Sequence, residues 1–67
     1  MTTPKRMGAM IERLREGKGM TQAAPATWAQ ITREYVNRIE AGQHDPTVGT
    51  LTRIAKALGV PVMELLE

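Results

Sequence analysis

The chain has no cysteine and no phenylalanine, and its 67 residues include one tryptophan and one tyrosine. The absence of cysteine excludes disulfides and thiolate metal sites, and nothing in the sequence points to secretion. No apolar run approaches the length that spans a membrane, and no signal peptide is evident. We therefore expect a cytoplasmic protein with a single domain over residues 1–67, whose thin core is aliphatic and rich in methionine.

The net charge is a modest +2, but it is unevenly distributed along the chain. Residues 1–38 contain seven basic and three acidic side chains, a net charge of +4. Residues 39–67 contain two basic and four acidic side chains, a net charge of −2. A basic amino-terminal half fits a polyanionic partner such as a nucleic acid. A mixed, solvated surface remains the alternative that charge counts do not exclude.

Apolar spacing in the first half of the chain predicts three short helices. Residues 1–4 are expected to form a mobile arm. A first helix is then predicted from apolar residues at i, i+3, i+4 and i+7, namely Met7, Met10, Ile11 and Leu14. It is expected to end at Gly17 to Gly19. Helix two is predicted from Thr21, as a hydroxyl N-cap, to Ala29, and helix three from Thr32 to Ala41, with Gly42 as its C′ residue.

The second half of the chain predicts two further helices and no strand. Thr47 is the expected N-cap of helix four, and Gly59 is expected to end it. Pro61 suits the first turn of helix five. The apolar side of helix four is predicted to comprise Val48, Leu51, Ile54, Ala55 and Leu58, and that of helix five Val62, Leu65 and Leu66. The fold class predicted from these patterns is a compact all-α bundle of five helices.

Helix three carries the most informative pattern in the chain. At about 100° per residue, five side chains fall within an arc of roughly 140°: Arg33, Glu34, Asn37, Arg38 and Ala41. Val36 and Ile39 point the other way. One face can therefore pack on a core while the other offers two guanidiniums, an amide and a carboxylate to base edges in a DNA major groove. A solvated helix face would show the same pattern, so the flanking residues must decide.

The flanking residues favour DNA binding. Gln30, Ile31 and Thr32 form a tight connection between helices two and three, and Thr32 can cap the second of them. Two short helices joined so closely are typical of the helix-turn-helix unit, whose second helix lies in the major groove.

From about Met7 to Leu66 the chain resembles the helix-turn-helix domain of phage-repressor/Cro-like (XRE-type) regulators. The order and spacing of many residues carry the resemblance: Met7-Gly8, Ile11, Leu14-Arg15, Gly19-Met20-Thr21-Gln22, Ala26, Ile31-Thr32-Arg33, Ile39-Glu40, Gly42, Pro46, Leu51, Ile54-Ala55, Ala57-Leu58-Gly59-Val60 and Leu65. The resemblance implies a five-helix bundle of the lambda-repressor-like type that binds operator DNA, usually as a two-fold dimer.

The resemblance also implies roles for individual residues. Gln22 matches the family residue that bonds a backbone phosphate at the start of helix two. Arg15 and Glu40 match a structural ion pair between helices one and three. The base-reading positions correspond to Thr32, Arg33, Glu34 and Arg38. The positions that contact phosphate or adjacent bases correspond to Tyr35, Asn37, Gln43 and His44.

Two residues depart from the family pattern, and both lie in the helix-turn-helix unit. Pro25 stands where the family usually has a core leucine, and it lacks a backbone N–H. In a helix capped by Thr21 it would remove only the first intrahelical bond, and Trp28, expected to be a packing residue, would cover the space that leucine would fill. Gln30 stands where the tight turn usually has glycine. If the backbone there needs a positive φ, glutamine is strained by about 1 kcal/mol or more.

Several alternatives remain open at this stage. Glu34 could accept from cytosine N4, orient Arg38 through an i, i+4 pair, which is the favoured role, or repel phosphate. A dimer through helix five, using Val62, Met63, Leu65 and Leu66, competes with a monomer. The same bundle could serve as a protein-interaction module of an antitoxin or adaptor kind. No nucleophile–base set, metal cluster, cofactor site or small-molecule site is expected, and His44 has no partner ligands at metal spacing.

Overall fold

The computed structural model describes residues 2–67, which form five α-helices and, within that range, no β-strand. The helices are α1 (Pro4–Gly17), α2 (Ala23–Ala29), α3 (Arg33–Glu40), α4 (Val48–Leu58) and α5 (Met63–Leu66). The predicted all-α bundle of five helices, with α2 and α3 as the helix-turn-helix unit, is confirmed. Met1, the first residue of the expected arm, lies outside the described residues.

The start of α1 shows that the arm predicted over residues 1–4 is too long. Thr3 is the N-cap of α1, and its hydroxyl oxygen accepts a hydrogen bond from the Arg6 backbone N–H at 3.1 Å. Pro4 is the first helical residue, where its fixed φ suits the helix and its missing N–H costs nothing. Thr3 and Pro4 therefore belong to the helix and its cap.

Helix α2 begins one residue later than predicted, and its cap is different. Gln22, and not Thr21, is the N-cap residue, and no side chain caps the helix there. The first i→i−4 bond runs from the Ala26 N–H to the Gln22 carbonyl oxygen at 3.3 Å, so Pro25 in the preceding position removes no intrahelical bond. Pro25 is less than 2% exposed and is packed in the core. Trp28 does not cover it as expected, because the Trp28 side chain is 66% exposed. The prediction that Trp28 packs on the bundle was wrong.

The connection between α2 and α3 is strained, as the sequence suggested. Gln30 ends α2 in the left-handed region, with φ 59° and ψ 40°. Thr32 then caps α3, and its hydroxyl oxygen accepts from the Tyr35 N–H at 3.0 Å. At the other end Gly42, with φ 77°, donates to the Ile39 carbonyl, and the Gln43 N–H donates to that of Arg38. This pair of bonds is a Schellman motif, so the predicted cap and stop of α3 are both confirmed.

Helix α4 begins and ends as predicted, whereas α5 starts at Met63, so that Pro61 precedes the helix and does not lie in its first turn. Both helices bury fewer of the predicted side chains. Thr47 caps α4 through its hydroxyl, and Gly59 ends it with φ 71°. Val48, predicted on the apolar side of α4, is 68% exposed, because the first turn of the helix projects beyond the core. Leu65 of α5 is 1% exposed and belongs to the core of the monomer.

One core holds the helices together. Helix α2 packs mainly on α4 and helix α1 on α3, and α5 closes the bundle against α1. The buried cluster comprises Met7, Ile11, Ala29, Ile39, Leu51, Ile54, Ala55, Leu58 and Leu65. This arrangement covers the Val36–Ile39 side of α3 and leaves its opposite side in solvent.

Candidate nucleic-acid interface

The exposed side of α3 carries the polar groups that the sequence pattern placed there. Val36 and Ile39 are buried, whereas Arg33 and Arg38 are exposed, as are Glu34 and Asn37 between them. The alternation follows from helical spacing, since the buried and exposed residues fall on opposite sides of one short helix. This side of α3 therefore presents polar side chains to the solvent.

A shallow, open cleft runs along this face. It is lined by Gln22, Arg33, Glu34, Asn37, Arg38 and Gln43. Helix α3 supplies four of these residues, the start of α2 supplies Gln22, and the Schellman motif that ends α3 supplies Gln43. Six of the nine residues expected to contact DNA thus line one concavity. Its two guanidiniums and single carboxylate give the cleft a positive charge.

The other three expected contact residues lie beside the cleft and do not line it. The Thr32 hydroxyl is engaged as the α3 cap, where it acts as an acceptor. Tyr35 is half-buried against the core, and its ring meets the His44 ring edge to face, with 5.3 Å between centroids and 75° between planes. This contact ties the loop after α3 back to the helix. Helical spacing could not indicate this contact, because the two residues are nine positions apart and a turn lies between them.

The ion pair through which Glu34 was expected to orient Arg38 is not formed. Within residues 2–67 the ion pairs are those of Arg15 with Glu40 and with Glu16, and Glu34 makes none with Arg38. Both side chains are exposed, and an exposed i, i+4 pair gains only a few tenths of a kcal/mol, which side-chain entropy readily offsets. Glu34 is free to face a ligand in the cleft.

The Arg15–Glu40 pair lies directly behind the cleft. Arg15 Nε donates to Glu40 Oε2 at 2.7 Å, and Arg15 Nη2 donates to Oε1 at 3.1 Å. Both residues are buried, and this hydrogen bond raises the pKa of the Arg15 guanidinium above its ordinary value, although desolvation opposes the shift. The pair is therefore bidentate, which is the geometry that best compensates the burial of an ion pair.

Two further bonds extend the pair, and sequence reasoning missed both. Arg15 Nη1 donates to the Met20 carbonyl oxygen at 2.7 Å, which fixes the turn before α2. Gln22 Nε2 donates to Glu40 Oε1 at 3.0 Å. The second bond joins residues 18 positions apart, so no local pattern could reveal it. In this structure the Gln22 amide, expected to contact phosphate, also has a partner within the protein.

Residues 2–67 contain no group of three or more histidine or acidic side chains that could hold a metal ion. None of their helices has the length and apolar character needed to cross a bilayer.

Comparison with known proteins agrees with this geometry. A family model described as a helix-turn-helix domain matches residues 6–67. The chain is 38% identical over 66 residues to y4dJ, an uncharacterized HTH-type transcriptional regulator of Sinorhizobium fredii, and the match covers 98% of this chain and 86% of that protein. It is 32% identical over 60 residues to the immunity repressor protein of Bacillus phage phi105, covering 90% of this chain and 42% of the repressor.

A solved structure gives the same result. The restriction-modification controller protein C.AhdI from Aeromonas hydrophila superposes with a TM-score of 0.88 at 29% identity, covering 92% of this chain and 94% of that one. These relatives are regulatory in kind and not enzymatic. With a family match over nearly its whole length and a positively charged cleft along α3, the chain belongs to the helix-turn-helix family of DNA-binding transcriptional regulators.

Proposed function

We propose that α3 enters the major groove of double-stranded DNA and reads base edges with Thr32, Arg33, Glu34 and Arg38. The single observation that carries the proposal is the cleft in which exposed side chains of α3 and Gln22 from the start of α2 face the same way. Arginine is the side chain that best reads guanine through O6 and N7, so the preferred half-site should contain guanine. Glu34, free of Arg38, can accept from cytosine N4.

The remaining polar residues would hold the protein in register on the duplex. Gln22 at the start of α2 is well placed for a phosphate, because the backbone N–H groups of a helix N-terminus also favour an anion. Asn37 and Gln43 line the same cleft, and Tyr35 and His44 contact each other edge to face beside it. Contacts of this kind fix orientation, whereas base contacts supply sequence preference.

The proposed biological role is transcriptional control, by repression as in the phage relative that bears the name immunity repressor. Residues 1–67 would act as a single domain in the cytoplasm of a bacterial cell, by binding alone, without catalysis, a cofactor or a small-molecule ligand. The shared core of α1 to α5 supports one cooperative unit.

Binding to a natural operator would use two copies of the chain. The longest extent of the molecule is 26 Å, whereas half-sites one helical turn apart are separated by about 34 Å. The copies would meet through α5, where Met63 is 60% exposed and Val62 and Leu66 are half-buried. Leu65, part of the expected dimer surface, is committed to the monomer core and is left out of this interface.

Selection of duplexes from a randomised DNA pool tests the proposal. We expect a defined motif containing guanine, and an affinity that falls steeply as salt rises, because phosphate contacts release counterions. Enrichment of a palindrome would support two copies on the site, and a single short motif would favour a monomer. No enrichment and no affinity at low salt would overturn the proposal in favour of a protein-interaction module.

A further inference from the structure

The Glu40 carboxylate makes three hydrogen bonds at the junction of α1, α2 and α3. Its Oε2 accepts from Arg15 Nε, and its Oε1 accepts from both Arg15 Nη2 and Gln22 Nε2. The Glu40 side chain is only 3% exposed, whereas Gln22 is half-buried and lines the cleft. A buried charge thus contacts a residue of the candidate interface directly.

The chemistry of this contact fixes which way the Gln22 amide is turned. An ionised carboxylate can only accept hydrogen bonds, so the amide must direct its NH2 group and not its oxygen towards Glu40. One N–H of Nε2 is used at 3.0 Å, and the second N–H has no partner among residues 2–67. We propose that Glu40 is a positioning residue for DNA binding, which holds the Gln22 amide so that this second N–H meets a DNA phosphate. The inference rests on the proposed phosphate contact of Gln22.

The start of α2 has few other means of fixing this side chain. No side chain caps the helix, and its seven residues carry no charge. Glutamine has three rotatable side-chain bonds, and ordering them only on binding would cost entropy that a preorganised amide avoids. Arg15 assists through the bond to the Met20 carbonyl, which holds the turn that leads into Gln22.

The test measures affinity for the selected duplex and for the same duplex with single phosphates replaced by uncharged methylphosphonates. Replacement of the phosphate that Gln22 contacts should weaken wild-type binding by about three- to tenfold, the loss typical of one hydrogen bond. Gln22→Ala should lower affinity for the unmodified duplex by a similar factor and abolish the sensitivity to that replacement. If Gln22→Ala binds as the wild type does, the phosphate contact itself is wrong, and the positioning role is wrong with it.

Glu40→Gln then isolates the positioning role, and Glu16→Gln is its matched control. Both variants remove one negative charge next to Arg15, because Glu16 Oε2 lies 3.8 Å from Arg15 Nη2, but Glu16 is 64% exposed and makes no bond to Gln22. The amide introduced by Glu40→Gln offers both a donor and an acceptor, so the Gln22 amide is no longer held in a single orientation. We expect Glu40→Gln, and not Glu16→Gln, to lose the methylphosphonate sensitivity at that one phosphate.

A double-mutant cycle separates positioning from general stability. In the Gln22→Ala background, Glu40→Gln should cause no further loss of affinity, because the group it orients is gone. An equal loss in both backgrounds would show that Glu40 acts only on the fold and would overturn the proposal.

A second variant keeps the test valid if Glu40→Gln fails to fold. Arg15→Met with Glu40→Met replaces the whole ion pair by apolar side chains, a change that is often neutral for stability. With folding verified by circular dichroism, this double variant should also lose the sensitivity at the same phosphate. Retention of that sensitivity would overturn the positioning role.

Discussion

Gln30 occupies a backbone position that glutamine adopts poorly. It has φ 59°, and among residues 2–67 it is the one non-glycine residue with positive φ. The left-handed conformation costs a residue with a Cβ about 1 kcal/mol or more, and glycine avoids this cost. The side chain is exposed, so no contact offsets the strain. We expect Gln30→Gly to raise the free energy of unfolding by about 0.5–1 kcal/mol, after allowance for the greater freedom of glycine in the unfolded chain.

Urea denaturation followed by circular dichroism measures this change, and Gln30→Ala is the control. Alanine removes the amide but keeps the Cβ, so it should leave most of the strain in place. An equal gain from alanine and glycine would show that the side chain, and not the backbone conformation, limits stability. A loss of stability in Gln30→Gly would contradict the strain argument altogether.

The two arginines of the cleft should each specify part of the operator. Arg33→Ala or Arg38→Ala is expected to weaken binding to the selected duplex by about 1–3 kcal/mol and to relax the preference at one base pair. Both residues are exposed, so the loss should appear in binding and not in the thermal midpoint. Arg53→Ala, an exposed arginine on α4 outside the cleft, is the control. If both cleft variants keep the wild-type sequence preference, the base-reading assignment is wrong.

At the scale of the helices, α1 and α3 cross with almost no space between their backbones. A Cβ built on Gly8 of α1 would overlap the Ile39 carbonyl oxygen and lie 2.7 Å from that of Glu40. Backbone atoms cannot move aside as a flexible side chain can, so Gly8→Ala must push the two helices apart. We expect a loss of about 1–3 kcal/mol in the free energy of unfolding, the usual cost of overpacking.

Gly17→Ala provides a control on the same helix. No atom lies within 4 Å of a Cβ built on Gly17, so alanine there should be neutral or slightly stabilising through its higher helix propensity. Thermal denaturation of the two variants tests the difference. Equal midpoints would mean that α1 can shift on α3 without cost. Because Glu40 lies at the crossing, Gly8→Ala should also weaken DNA binding.

The same elements show how far the sequence predicts the fold. The caps at Thr32 and Thr47 and the glycine stop at Gly42 were predicted correctly, because each depends on hydrogen bonds within one turn of the chain. Exposure of Val48 and Trp28 was not predicted, because helical spacing identifies an apolar side but not how far the core extends along it.

The candidate site likewise has features that the sequence predicts locally and contacts between distant residues that it does not predict. Helical spacing alone predicts the polar face of α3, which the structure exposes. The bond from Gln22 to Glu40 and the edge-to-face contact of Tyr35 with His44 depend on where different elements meet. Such contacts follow from the packing of the bundle, which a pattern within one helix does not contain.

For the whole molecule, size and charge limit how it can recognise DNA. One copy presents a single short helix, and a polar face of this size makes too few contacts for tight specific binding. The basic amino-terminal half carries five of the six cleft residues, whereas the acidic carboxyl-terminal half carries α5. A second copy that joined through α5 would therefore extend the basic surface without placing two basic surfaces against each other.

This arrangement predicts cooperative binding to a duplex with two half-sites centred about 10 base pairs apart, one helical turn along the same face. Titration should give a Hill coefficient above 1 and two protein chains per duplex in sedimentation. Insertion of five further base pairs turns the second half-site to the opposite face and should abolish the cooperativity. Met63→Glu, at an exposed position of α5, should abolish it too, while leaving affinity for one half-site unchanged. If Met63→Glu binds the double site as cooperatively as the wild type, α5 is not the surface through which the two copies meet.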